Sequence, residues 1–177
     1  MAVADSGPGG IVPLERGDRL TRDEFERRYR AMPEVRKAEL VEGVVYLPTP
    51  TRFEQHAESH SHVVTWLGVY VAATPGVRMC DNATVRLDLD NEVQPDALLR
   101  LPELVGGASR INDEGYFAGP PELIFEVASS SASYDLHDKM KVYRRAGVRE
   151  YLTWRLRDKE LALLVLDGTQ YQPIDRA

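Results

Sequence analysis

Apolar positions recur along this chain with two different periods, and each predicts a different kind of element. From Glu54 to about Ala73, Val63, Trp66, Leu67 and Tyr70 follow one another at spacings of three and four, which predicts a helix closed by Thr74-Pro-Gly76. An earlier helix begins at Thr21. Glu24 stands three residues later, the capping-box spacing, Leu20 and Phe25 flank it as a hydrophobic staple, and Pro33 stops the helix after about Met32. A third helix is predicted from about Tyr134 to Ala146, with Leu136, Met140 and Tyr143 facing inward and Gly147 as its stop.

Between these helices the period shortens. Glu39 to Leu47 reads as a strand pair turning at or near Gly43, and Val77 to Cys80 as a short strand. Ala83 to Leu89 alternates, with Val85, Leu87 and Leu89 on one face; a turn at Asp90-Asn-Glu92 leads to a strand from Val93 to Leu101 that contains Pro95-Asp96. Pro102 to Gly119 is polar and reads as a long loop. Pro121 to Ala128 is the most apolar strand, expected to be central and buried on both faces. Val148 to Arg155 and Glu160 to Leu166 form a closing hairpin, and Tyr171 opens a last short strand. The expected architecture is α/β, more exactly α+β: a central mixed sheet flanked by helices. Residues 1–18, rich in Gly and Pro, read as a mobile arm, and residues 19–177 as a single domain without internal repeats.

Composition narrows the class without naming a function. A chain of 177 residues, 43% hydrophobic and 28% charged, is an ordinary globular domain with a real core. No stretch approaches the roughly 20 apolar residues of a membrane span, and the N-terminus has no signal-peptide pattern. Cys80 is alone, so no internal disulfide forms; a small buried hydrophobe in a cytoplasmic protein is the simplest reading. The net charge of -6 argues against an avid, non-specific nucleic-acid binder. Bases are concentrated between Lys139 and Lys159, but charge alone favours a solvated helix face there over a binding surface.

Two acids occupy costly positions. Asp96 follows Pro95 at the start of an apolar run, and Glu126 interrupts Leu-Ile-Phe-Glu-Val. A carboxylate in such a strand must be paired, hydrogen-bonded or metal-bound. Neighbouring strands can bring the two together, and two carboxylates with a main-chain carbonyl and water make a natural magnesium site, or a manganese site in its stead. Lys139, on the helix after the Glu126 strand, is within reach of that strand's end, where it can orient a water beside a metal-bound phosphate. Plainer readings stand beside these: an exposed Asp135–Lys139 pair at i,i+4, and Glu126 as the buried partner of an arginine. His56 and His60 share a helix face with His62 nearby, but the sequence His-Ala-Glu-Ser-His lacks the zinc-protease order, so a structural or surface role is preferred to a role at the site. Trp66 and Trp154 read as core aromatics.

Five segments then occur in order: Glu39-Leu-Val-Glu-Gly43, Gln94-Pro-Asp96, Pro121-Glu-Leu-Ile-Phe-Glu-Val-Ala-Ser129, Asp135-xxx-Lys139-xxx-Tyr143 and Ala146-Gly-Val-Arg-Glu-Tyr151. Together, over about residues 20 to 172, they resemble the Uma-two family of restriction-type endonucleases, a branch of the PD-(D/E)xK nuclease superfamily. The resemblance implies a restriction-endonuclease-like fold, DNA as substrate, and magnesium-dependent phosphodiester hydrolysis. It also implies Asp96 and Glu126 as metal ligands, Lys139 as the catalytic lysine and Glu39 as a further acid at the site. A homodimer is implied too, since related nucleases often cut both strands that way. The superfamily's lysine two residues after the glutamate is Ala128 here; the family carries it on the following helix, where Lys139 stands. The competing expectation is a nuclease-fold binding or regulatory module without catalysis, and a different phosphate substrate is a third.

Overall fold

The computed structural model describes residues 10–47, 57–128 and 134–174, the side chains of 134–136 excepted. In chain order the elements are α1 (Arg22–Arg30), β1 (Glu39–Val41), β2 (Val44–Tyr46), α2 (Glu58–Ala73), β3 (Arg78–Asp81), β4 (Val85–Arg86), β5 (Glu92–Val93) and β6 (Ala97–Arg100). After them come β7 (Arg110–Ile111), β8 (Phe117–Ala118), β9 (Leu123–Ala128), a wide π-type turn (Tyr134–Lys139), α3 (Met140–Ala146), β10 (Glu150–Arg155), β11 (Glu160–Asp167) and β12 (Gln170–Pro173). The fold is α+β, with mixed sheets and few helices. The strands divide between two six-stranded sheets, ordered β2-β1-β5-β4-β8-β7 and β12-β11-β10-β9-β6-β3, where one sheet was expected. No described helix is long and apolar enough to cross a membrane.

The division has a local cause. The strand expected from Val93 to Leu101 is broken at Gln94-Pro95-Asp96: β5 belongs to the first sheet and β6 to the second. Proline has no N–H to give a ladder, so the crossing falls where a pairing is lost in any case. In the second sheet β9 lies between β6, antiparallel to it, and β10, parallel to it, and all six of its residues are buried. Parallel pairing of β9 and β10 requires a crossover, and the π-type turn with α3 supplies it.

Alternation along these strands decides which side chains meet. Phe125 and Val127 of β9, with Ala97 and Leu99 of β6, pack with Val63 and Leu67 of α2. The opposite parity, Ile124 and Leu98, packs with Val41, Val85 and Val93 of the first sheet and Val142 and Tyr143 of α3. Glu126 shares parity with Ile124, Asp96 with Leu98, and Glu39 with Val41. All three acids therefore project into the same space between the two sheets and α3.

Several expectations are corrected. Trp66 is 53% exposed, not core, because Val63 and Leu67 form the inward stripe of α2 and turn Trp66, Val69 and Tyr70 outward. Trp154 is half-buried against the α2 side. Leu89 is 72% exposed. The strand ends after Arg86 because the chain turns at Asp88, whose Oδ1 accepts from Asp90 N–H (2.9 Å) and Asn91 Nδ2 (2.7 Å). The long loop after Pro102 carries a 3-10 turn (Glu103–Val105) and the β7–β8 pair. Within the expected arm Leu14 is buried against Phe25 and Leu40 and Gly17 N–H donates to Val45 O (2.9 Å), while residues 10–13 and 15–17 are exposed. Residues 1–9 lie outside the described part.

Other expectations hold. Thr21 caps α1, its hydroxyl accepting from Glu24 N–H, and Gly147 closes α3 with φ 87°. The β1–β2 turn falls on Glu42-Gly43 with φ 52° and 71°, the primed hairpin geometry; a Cβ at Gly43 would also lie 3.3 Å from Leu20 O. Within the basic stretch Lys139 is buried, Arg145 pairs with Glu42 at 2.5 Å, Arg144 bonds Thr169 O and Gln170, and Arg155 pairs with Glu160, while Lys141, Arg149, Arg157 and Lys159 are exposed.

Leu98→Ala, which empties a fully buried position, is expected to cost about 2–5 kcal/mol, whereas Leu89→Ala should stay within about 0.5 kcal/mol. Urea unfolding of the two variants distinguishes this arrangement from one with Leu89 in the core.

Candidate active site

Glu126 lies in the middle of the buried strand β9, where Asp96, Tyr143 and Lys139 are among its neighbours. Continuing the β6–β9 register one step beyond Ala97↔Phe125 sets Asp96 opposite Glu126. Tyr143, one turn after Lys139 on α3, donates its hydroxyl to Glu126 Oε1 at 2.7 Å. Lys139 brings its Nζ to 2.5 Å from the same oxygen. The lysine is only 1% exposed, which does not fit an exposed pair, and the side chain of Asp135 lies outside the described residues.

Glu39 completes the pairing from the other sheet. Its Oε1 lies 3.0 Å from Lys139 Nζ and accepts from Gln94 N–H at 2.7 Å, so the sheet-crossing segment is fastened to β1. Burial raises the Glu39 pKa, but the charges of Lys139 and Lys37 with the Gln94 hydrogen bond outweigh it, and the net displacement is downward. Burial first, then the negative charge of Glu126, holds the Tyr143 phenol well above its ordinary range; it therefore remains a donor.

Asp96 is held by its strand neighbours. Val127 N–H donates to its Oδ2 at 2.8 Å, and Lys37 Nζ lies 3.6 Å from its Oδ1. His60 Nε2, on α2, is 2.9 Å from both Asp96 O and Asp81 Oδ1. The four residues expected at the site, Glu39, Asp96, Glu126 and Lys139, thus line one buried space. His60 adjoins it, half-buried and bonded to a main-chain carbonyl and to Asp81. His56 lies outside the described residues.

Sequence reasoning passed over Lys37, Tyr143 as a polar group, and Asp81. Two signals were available: Lys37 is two residues before Glu39, and Tyr143 is four residues after Lys139. Asp81 carried none. Cys80 is half-buried beside the core, and burial pushes its thiol up, which fits an inert small hydrophobe.

Three carboxyl groups (Glu39, Asp96, Glu126) face two ammonium groups (Lys37, Lys139) in this space. That excess of oxygen donors suits a hard cation better than a soft one. No group of three or more His, Cys, Asp or Glu poised for a metal is found among the described residues. A metal at Asp96 and Glu126 would therefore need water and main-chain oxygen to fill its shell, as magnesium commonly does.

The Uma2 (Uma-two) family model, described as "Putative restriction endonuclease", matches residues 22–176, and the chain belongs to this family. Among solved structures, one described as a putative nuclease belonging to DUF820, from Anabaena variabilis, is similar with a TM-score of 0.65 and 17% identity, covering 89% of this chain and 85% of that one. That likeness bears on the fold. No curated protein sequence matches the chain.

Because the folded-state pKa of Glu39 lies below its ordinary 4.5, the folded protein binds fewer protons than the unfolded chain as the medium acidifies. The stability that Glu39 contributes is complete above about pH 4.5 and is lost as pH falls through the folded value. Glu39→Gln is expected to flatten the acid limb of stability between pH 6 and 3, as urea unfolding at several pH values would read. An unchanged acid limb would mean that Glu39 is not held as its own charge pair.

Proposed function

We propose that the protein is a magnesium-dependent endonuclease, acting in the cytoplasm, that hydrolyses phosphodiester bonds of DNA. Asp96 and Glu126 are its metal ligands and Lys139 orients the attacking water. The observation that carries this reading is the register of β6 and β9: Asp96 sits opposite Glu126, with Lys139 2.5 Å from the Glu126 carboxylate. The family's description supports the same class of reaction.

Bound magnesium, or manganese in its place, would draw charge from the phosphate and stabilise the leaving oxygen. The chain's own part is orientation. Tyr143 and Lys139 fix Glu126, Gln94 N–H and Lys139 fix Glu39, and Val127 N–H fixes Asp96, so no carboxylate must reorganise when substrate arrives. Lys139 donates an N–H to the water and holds it in line with the scissile bond. Water's oxygen bonds to phosphorus, the phosphorus–sugar oxygen bond breaks, and a water proton ends on that oxygen, giving a phosphomonoester and an alcohol.

A homodimer would present two such sites to the two strands of a duplex. The outward face of α2 is proposed as its contact: Trp66, Val69 and Tyr70 are exposed, and Ser59 to Ala73 contains no Lys, Arg, Asp or Glu. A twofold contact meets its own copy, so an uncharged face avoids like-charge repulsion. Trp66→Glu is expected to halve the mass seen by light scattering. A wild-type monomer contradicts the dimer, and an unchanged mass in the variant contradicts α2 as its contact.

Plasmid cleavage with magnesium tests the activity. Asp96→Ala and Lys139→Ala are each expected to lower the rate by at least about 100-fold, with circular dichroism checking that the variants fold. Undiminished activity in both contradicts the mechanism. Absence of cleavage by the wild type supports the alternative, a binding or regulatory module that keeps the fold without the chemistry, which the net charge of -6 favours.

A further inference from the structure

Two lysines serve the carboxylates, and they differ in what they touch and how far they reach. Lys139 is 1% exposed, its ammonium fastened to Glu39 and Glu126. The Lys37 side chain is 26% exposed, and its ammonium stands 3.6 Å from Asp96 Oδ1, beyond hydrogen-bonding distance. Lys37 precedes Glu39 by two residues, the spacing that sends side chains to one side of an extended strand, and its charge is felt at Glu39. One lysine is thus locked inside the site, and the other lies at its solvent side in a loose pair.

A loosely paired ammonium on a flexible stem can exchange a carboxylate for a phosphate at little cost, because no buried charge is orphaned when it moves. The molecule needs such a group. With a net charge of -6, attraction to a polyanion must come from cations placed locally. Of the downstream bases Arg145 is paired with Glu42 and Arg155 with Glu160, while Lys37 stands beside Asp96 itself.

We propose that Lys37 is the phosphate-contacting residue of the site, its ammonium binding a non-bridging oxygen of the phosphodiester brought to Asp96 and Glu126. The assignment rests on the nuclease reading above. Lys37 makes no covalent bond; it neutralises charge on the phosphate, while Lys139 acts from within.

The test is binding of a fluorescent DNA duplex, with calcium replacing magnesium, by wild type, Lys37→Ala and Lys37→Arg over a series of salt concentrations. Lys37→Ala is expected to bind roughly three- to tenfold more weakly at low salt, and its slope of log affinity against log salt should be shallower by about 0.9, one phosphate contact. Lys37→Arg should restore most of both. Manganese titrated by calorimetry should bind Lys37→Ala as tightly as wild type or more tightly, since a competing cation beside Asp96 is gone. An unchanged affinity and slope in Lys37→Ala, with wild type binding and cleaving DNA, overturns the role of Lys37 and leaves the nuclease standing. Loss of manganese binding together with DNA binding in Lys37→Ala overturns it in favour of a structural role. A wild type that neither binds nor cleaves DNA overturns both readings.

Discussion

A buried ammonium held between two carboxylates is the constraint on which this molecule is organised. Lys139 Nζ stands 3.0 Å from Glu39 and 2.5 Å from Glu126, and all three residues are almost fully enclosed. Removing such charges from water costs several kcal/mol each, and the cost is offset only if partners and hydrogen bonds are well placed. The three come from three different elements: β1 in one sheet, β9 in the other, and the junction of the π-type turn with α3. Satisfying them fixes how the two sheets and the crossover meet. An apolar trio would pack here as well or better, so the charges point to chemistry more than to stability.

The second organising feature is the crossing at Gln94-Pro95-Asp96. Gln94 N–H donates to Glu39 in the first sheet, and Asp96 accepts from Val127 N–H in the second. Within three residues the chain leaves one sheet, joins the other and delivers a carboxylate opposite Glu126. His60, from α2, reaches the carbonyl of the same Asp96. The corner is thus held from both sheets and a helix, the rigidity that the proposed cation ligand requires.

Much of this was legible in the sequence, and the failures are instructive. Glu126 announced itself because an acid inside Leu-Ile-Phe-Glu-Val has to be paired, and the capping box at Thr21, the turn at Gly43 and the stop at Gly147 are local chemistry that tertiary packing did not override. Trp66 was misread because a helix apolar on several sides does not declare which stripe faces inward; the sheet chose Val63 and Leu67. Leu89 was misread because alternation says nothing about where Asp88 ends the strand. The division into two sheets was missed because Val93 to Leu101 was read as one strand across Pro95, whose missing N–H marks the crossing from β5 to β6. Lys37 was passed over because its partner Asp96 lies far off in sequence, and the contact of His60 with Asp81 was hidden for the same reason. The placement of Lys139 on the helix after β9 rested on family resemblance, since its spacing from Asp135 fits an exposed pair equally well.

The central claim, that Asp96 and Glu126 together hold a divalent cation beside Lys139, is tested most directly by anomalous diffraction from a crystal soaked in manganese. The account predicts one strong peak within about 2.0–2.3 Å of an oxygen of each carboxylate, with Lys139 still beside Glu126. A soaked crystal with no peak there, or with manganese bound only at other acids, would contradict it.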